Sequence, residues 1–145
     1  FPLWDATAEN GCLQVIPRSH RQGLLHHCRR WNGLEIPARF LPGSCLTLPM
    51  KRGDVLFMTQ LTCHASLPNR SGEVRWSFDL RYNPIGQATG REQFPGFVAR
   101  SRQHPESELR DPAAWHQLWQ DTRDRLAQEA DPAYNRWGAE DRVCA

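Results

Sequence analysis

The sequence predicts a mainly β fold with flanking helices and an α-helix toward its C-terminal end. Three observations carry that expectation. Short apolar runs bounded by turn residues recur at close spacing through the first 84 residues, the pattern of a sandwich or jelly roll. Val74 to Tyr82 alternates strictly, with Val74, Trp76, Phe78, Leu80 and Tyr82 on one face and Arg75, Ser77, Asp79 and Arg81 on the other. Trp115, Leu118, Trp119, Thr122 and Leu126 then recur at helical spacing.

Taken in order, Cys12 to Pro17 reads as a short strand entered through the turn dipeptide Asn10-Gly11. Residues 18–44, rich in His, Arg, Pro and Gly, read as irregular, with 24–42 placed as a loop over a barrel mouth. Cys45 to Pro49 is a second short strand, Lys51-Arg52-Gly53-Asp54 a turn, and Val55 to Met58 a buried-strand candidate. A further turn at Pro68 to Gly72 leads into the alternating strand. Asp111 is placed to cap a helix with Pro112 in its first position. That helix runs to about Glu129 and stops near Asp131-Pro132, its Trp/Leu stripe packing on the sheet. The expected organisation is one partial domain over 1–145, with strands and loops in 1–84 and a loop and helical tail in 85–145.

The formal charge of +2 is spread over interspersed basic and acidic residues, which gives no footprint for nucleic acid or an anionic membrane. No secretory signal and no apolar run of membrane-spanning length is visible. Cys12, Cys28, Cys45, Cys63 and Cys144 are odd in number and irregular in spacing, so reduced, mostly buried thiols are expected, in keeping with a cytoplasmic protein. His26-His27-Cys28 invites a metal reading, but no second Cys or His pair follows at finger spacing.

The chemistry concentrates between Gly53 and Tyr82. Arg75 offers a permanently charged planar fork that matches a carboxylate, and Ser77 points the same way two residues on. His64, at the end of a neighbouring strand, supplies an imidazole suited to ferrous iron. An anion clamp near a metal ligand suits a dicarboxylate that chelates a metal at one end and is gripped at the other. Taken alone, a polar face of this kind is usually just the solvent face of an antiparallel sheet, and a lone His at a strand end is usually structural or exposed.

The ordered motifs resemble the phytanoyl-CoA dioxygenase-like family. Asn10-Gly11-Cys12-Leu13-Gln14-Val15-Ile16-Pro17-Arg18-Ser19-His20 resembles its NG-x-L-x-x-I-P-G-S-H signature, with Arg18 where the usual pattern has Gly. Gly53-Asp54-Val55-Leu56-Phe57 is similar to the strand before the distal metal histidine. His64-Ala65-Ser66 with Asn69 is similar to its H-x-S-x-x-N, and Arg75-Trp76-Ser77 to its R-x-S strand. The resemblance covers Phe1 to about Asn83. It implies a partial double-stranded β-helix (jelly roll), with Trp76, Phe78, Leu80 and Tyr82 packed outward on helices. It implies an Fe(II)/2-oxoglutarate-dependent dioxygenase that oxidises a small organic substrate and releases succinate and CO2. His64 would be the distal histidine of the metal triad, Arg75 the partner of the far carboxylate of 2-oxoglutarate, and Ser66 and Ser77 positioning groups. No catalytic side chain beyond the metal ligand is implied.

The family also needs a His-x-Asp or His-x-Glu on an earlier strand. His104-Pro105-Glu106 has the right letters but lies after His64, in a polar stretch. Phe1-Pro2-Leu3-Trp4 reads like mid-domain sequence, so truncation is the expectation: the pair would lie before Phe1, and these 145 residues alone would be inactive and poorly soluble. Two alternatives stay open. One is a non-catalytic jelly-roll module that binds a carboxylate; the other is a cupin-like barrel with another metal.

Overall fold

The computed structural model describes residues 1–31, 33–87, 90, 93–129 and 142–144. They fall into two compact units, Phe1–Leu80 with the described part of 137–145, and 81–136. The first is built from β-strands and the second around one helix, so the chain is mainly β with a C-terminal α-helix.

The first unit is organised by β1 (Leu13–Val15), the central strand of a three-stranded antiparallel sheet. β4 (Leu46–Leu48) lies on one side, pairing Leu13 with Leu48 and Val15 with Leu46. β5 (His64–Ser66) lies on the other, pairing Leu13 with Ser66 and Val15 with His64. Reciprocal backbone bonds between Ala6 and Met50 (2.8 and 2.9 Å) add a bridge beyond β4.

The turn before β1 has a definite chemistry. Asn10 Oδ1 accepts from Thr7 N–H at 2.8 Å, and Asn10 Nδ2 donates to the Asp5 carbonyl at 2.8 Å. Gly11 then takes φ 84°, where a Cβ would stand 2.7 Å from the Leu67 oxygen and 3.2 Å from Asn69 N. Both the conformation and the close approach require glycine. The core beside this turn is small: Ala6, Cys12, Ile16, Cys28 and Cys63 are buried, the free thiols of Cys12 and Cys63 packing as small hydrophobes.

The structure changes several expectations. Residues 18–44 are not wholly irregular, since β2 (Cys28–Arg30) and β3 (Gly33–Glu35) form an antiparallel hairpin. Period-2 patterning cannot reveal strands of three residues with polar side chains on both faces. Val55 to Met58 forms no strand, and Phe57 is 92% exposed. An apolar run becomes a strand only when a neighbour satisfies its backbone, and this run has no ladder partner among the described residues.

Val74 to Tyr82 is the larger correction. Its alternation is real, yet only one bridge forms, Pro2 to Ser77. Phe78 N–H donates to the Phe1 carbonyl and Leu3 N–H to the Trp76 carbonyl, each at 2.9 Å. Among the described residues the run makes no further ladder, and an alternating apolar pattern does not by itself supply a pairing partner. The apolar face is not covered: Trp76, Phe78, Leu80 and Tyr82 are all exposed.

The cysteines are not all reduced either. Cys28 and Cys144 are joined in a disulfide, 116 residues apart, while Cys12 and Cys63 are free and buried and Cys45 is free and exposed. Pairing over that separation is set by the fold and leaves no mark in local spacing.

In the second unit, α1 (Pro112–Leu126) begins as expected, with Asp111 accepting from Ala113 N–H at 2.8 Å and Pro112 in the first turn. Trp119 meets Trp115 and Phe94 with ring centroids 6.2 and 5.9 Å away, and Leu126 is buried. Among the described residues the stripe's ring contacts are with Phe94 and within itself. The expected stop at Asp131-Pro132 lies outside the described residues. Ahead of the helix, the Glu108 carboxylate, only 4% exposed, accepts from Ser101 N–H and from Arg110 and Arg100. The Ser101 amide first, and then the Arg110 hydrogen bond, hold its pKa below the usual glutamate value. Among the described residues no helix is long and apolar enough to cross a membrane.

Candidate active site

The structure brings together three of the residues singled out in sequence. Arg75 Nη2 donates to Ser66 Oγ at 3.2 Å, and Arg75 Nη1 lies 3.4 Å from Ser77 Oγ. The guanidinium is half-buried between two hydroxyls. Ser66 is at the end of β5, and His64 is on the same face of that strand, two residues earlier. His64 and Ser66 are both exposed, so the cluster is open to a ligand from one side.

The imidazole of His64 has a defined orientation. Its Nδ1 is 2.8 Å from the Thr62 carbonyl oxygen, an acceptor, so Nδ1 carries the proton and donates. The Nε2 edge of the ring is left to face a ligand. Metal-ligating histidines are oriented in this way, the other ring N–H given to a backbone carbonyl.

The signature residues hold this strand in place. Ser19, 1% exposed, accepts from Cys63 N–H at 2.8 Å, one residue before His64. Ile16 N–H donates to the Cys63 carbonyl at 2.9 Å from the same side. After β5, Leu67 N–H donates to the Cys12 carbonyl (3.0 Å) and Arg70 N–H to the Glu9 carbonyl (2.8 Å). The Gly11 turn therefore seats the segment that runs from β5 to Arg75.

Asn69 closes that segment. Its Oδ1 accepts from Ser71 N–H at 2.9 Å, and its Nδ2 donates to the Glu73 carbonyl at 2.7 Å. The turn so fixed returns the chain to place Arg75 beside Ser66. Ser19 and Asn69 are thus positioning residues whose function the sequence motifs carried without explaining. His20 takes no part in holding the site strand; it sits exposed in the short 3-10 turn Ser19–Gln22.

His104 and Glu106 are exposed in the second unit, and His104 Nδ1 faces Glu106 Oε1 at 3.2 Å. The arrangement is a local pair on either side of Pro105. The His26-His27-Cys28 run behaves differently from its reading in sequence. Cys144 comes to it from the far end of the chain, and one ligand atom each of His26, Cys28 and Cys144 lie within 4.8 Å of one another. No spacing rule could have found that group.

The motifs now have a geometry, and the comparisons agree with them. The family model described as Phytanoyl-CoA dioxygenase (PhyH) matches residues 1–77. This is the stretch holding the Asn10-Gly11 turn, β1, β5, Arg75 and Ser77. The chain belongs to that family. It is 35% identical over 96 residues to a methylphosphonate hydroxylase of Gimesia maris, covering 66% of this chain and 36% of that protein. It is 31% identical over 102 residues to a 1-deoxypentalenic acid 11-beta-hydroxylase of Streptomyces arenae, covering 62% and 36%. A phytanoyl-CoA dioxygenase domain-containing protein 1 homolog of Dictyostelium discoideum is 28% identical over 91 residues, covering 57% and 32%. The chain therefore spans about a third of the length of these curated relatives. No solved structure matches it.

Proposed function

We propose that this chain is the C-terminal part of an Fe(II)/2-oxoglutarate-dependent dioxygenase that oxidises a small organic substrate. The observation that carries the reading is the Arg75 guanidinium held between Ser66 and Ser77, on the strand face that also presents His64. Family membership and the hydroxylase names of two relatives support an oxygenase chemistry.

The donor set fits the metal. His64 offers Nε2 on a ring oriented by Thr62, and imidazole suits ferrous iron. The remaining ligands, a His-x-Asp or His-x-Glu pair on a neighbouring strand of a double-stranded β-helix, would come from outside these 145 residues. Iron, when bound, supplies the redox chemistry that couples decarboxylation of 2-oxoglutarate to oxidation of the substrate.

The chain's own residues bind and orient. Two residues along β5 separate His64 from Ser66 by about 7 Å, a span comparable to a five-carbon dicarboxylate. One carboxylate end of 2-oxoglutarate would then meet Arg75, with the Ser66 and Ser77 hydroxyls donating to its oxygens, while the oxo-acid end faces the His64 side. Arg75 already bears its charge and is held by both serines, so little ordering is required when the anion arrives. The interspersed charge favours a small-molecule substrate over nucleic acid or membrane.

The test is 2-oxoglutarate decarboxylation by the full-length protein with ferrous iron, read as succinate formed. Turnover is expected in the wild type, and His64→Ala should lower it by about 100-fold or more, the scale of losing a function-bearing ligand. Full activity in His64→Ala would remove the metal assignment. Binding of 2-oxoglutarate without any decarboxylation would leave a carboxylate-binding module instead.

A further inference from the structure

The one group of three or more potential metal ligands among the described residues shares no member with the residues assigned above to iron and 2-oxoglutarate. His26, Cys28 and Cys144 converge from two segments, and their ligand atoms all lie within 4.8 Å of one another. We propose that these three residues form a zinc site when the two cysteines are reduced, and that the Cys28–Cys144 disulfide is the oxidised, metal-free state of the same site.

Ligand chemistry favours this metal. Two thiolates and an imidazole form a soft, nitrogen-and-sulfur set that suits zinc, whereas ferrous iron in an oxygenase site takes imidazole and carboxylate. Three protein ligands leave one tetrahedral position for water or an incoming ligand. Burial is graded in keeping with that: Cys28 is fully buried, and His26 and Cys144 are half-buried, so one side remains open.

Both cysteines are held by something other than the sulfur–sulfur bond. Cys28 is the first residue of β2 and pairs with Glu35 of β3. Cys144 lies in the short 3-10 turn Arg142–Cys144, which is anchored when Arg39 Nη2 donates to the Val143 carbonyl. Cys144 Sγ also sits 3.9 Å from the His27 carbonyl oxygen. Reduction therefore leaves the turn tethered beside β2. In a tetrahedral site with Zn–S bonds near 2.3 Å the two sulfurs stand about 3.8 Å apart. Side-chain rotation and a small shift of the terminal turn supply that separation. His27, although adjacent, is turned elsewhere, with Nδ1 2.9 Å from the Leu25 carbonyl oxygen.

The two states interconvert with a balanced exchange. A dithiol reductant gives two electrons and two protons to the disulfide, yielding two thiols and the oxidised reductant. Zinc then displaces both thiol protons and takes a lone pair from a ring nitrogen of His26. In reverse, glutathione disulfide accepts two electrons from the two thiolates; two protons go to the two glutathione thiols formed, and zinc is released.

The experiment uses the full-length protein, reduced, freed of metal and titrated with Co2+ and Zn2+ without oxygen. One Co2+ per chain should give a thiolate-to-cobalt charge-transfer band and tetrahedral d–d bands, both bleached by Zn2+. Cys28→Ser and Cys144→Ser should abolish the charge-transfer band and His26→Ala should weaken binding at least 10-fold, while His27→Ala leaves it unchanged. Glutathione disulfide should release the metal, and reductant should restore binding. In the wild type, which raises no question of misfolding, Zn2+ should protect Cys28 and Cys144 from alkylation by N-ethylmaleimide in a peptide map. The absence of a thiolate band, or equal alkylation of both cysteines with and without Zn2+, overturns the site. A band that survives Cys144→Ser overturns its ligand set.

Discussion

The His64 cluster and the His26 cluster are built in opposite ways. His64, Ser66, Arg75 and Ser77 lie within fourteen consecutive residues, and one strand and one turn bring them together. His26, Cys28 and Cys144 span more than a hundred positions and meet only because the described C-terminal turn lies against β2. The first cluster is written in local spacing, since a strand fixes which residues share a face. The second is a product of long-range packing. The difference implies that the two respond to different perturbations, and each prediction below separates them.

Gly11→Ala should have the largest effect. A Cβ there meets the Leu67 oxygen at 2.7 Å with the backbone at φ 84°. Strain and overpacking together should lower stability by about 3 kcal/mol, read as a shift in urea midpoint at constant slope. The damage falls on the Leu67–Arg70 segment that links β5 to Arg75. In the molecules that remain folded, 2-oxoglutarate binding should be weakened while Cys28 and Cys144 stay paired in a non-reducing peptide map. Loss of both together would show that the clusters are not separable.

Arg75→Ala comes next. It removes a charge-assisted fork worth about 1.5–3 kcal/mol, so the KM for 2-oxoglutarate in the full-length protein should rise roughly 10- to 100-fold. Arg75→Lys keeps the charge without the fork and should fall between the two. Neither change should alter thermal stability by more than a few degrees or disturb the Cys28–Cys144 pair. An unchanged KM in Arg75→Ala would return that strand face to ordinary solvent exposure.

Acid should also distinguish the regions, more weakly. The Asp5 carboxylate accepts from Arg52 N–H at 2.8 Å and from Lys51 Nζ at 3.2 Å. The Arg52 amide first, and then the Lys51 hydrogen bond, lower its pKa. Because the folded value is depressed, the stabilisation is present above the ordinary aspartate value and is lost as pH falls through the lowered one. Amide protection in the Lys51–Asp54 turn, taken relative to the intrinsic exchange rate at each pH, should therefore fall in acid, and Asp5→Asn should remove that dependence. The sulfur cluster in its disulfide form carries no titrating thiol and should hold its alkylation pattern across the same range.

How much of this was legible in the sequence follows from the same contrast. The Asn10-Gly11 turn and the Asp111-Pro112 start of α1 rest on neighbours within a few positions and are where spacing placed them, and β1 and β4 fall on the apolar runs read as strands although their pairing is long-range. The 55–58 and 74–82 runs had the right apolar pattern but depend on a pairing partner that no local signal supplies. The β2–β3 hairpin is too short and too polar to show a period. Ser19 and Asn69 were visible only as letters of a motif. Their contacts with Cys63 and Glu73 explain why a small hydroxyl and an amide are needed there.

Arg18 is the one motif letter that departs from the family pattern, and the structure explains the usual choice. It is the only non-glycine residue with positive φ among the described residues, at φ 64°, ψ 5°, immediately before the turn that places Ser19 under Cys63. A left-handed conformation costs a residue with a Cβ about 1–2 kcal/mol, and glycine gives back up to about 1 kcal/mol through its freer unfolded chain. Arg18→Gly should therefore stabilise the protein by about 0.5–1 kcal/mol, measured by urea unfolding at constant slope. The gain should appear at the Ser19–Cys63 contact as slower amide exchange at Cys63, with no change at Cys28. Destabilisation instead would mean that the exposed Arg18 side chain contributes more to the fold than its strained backbone costs.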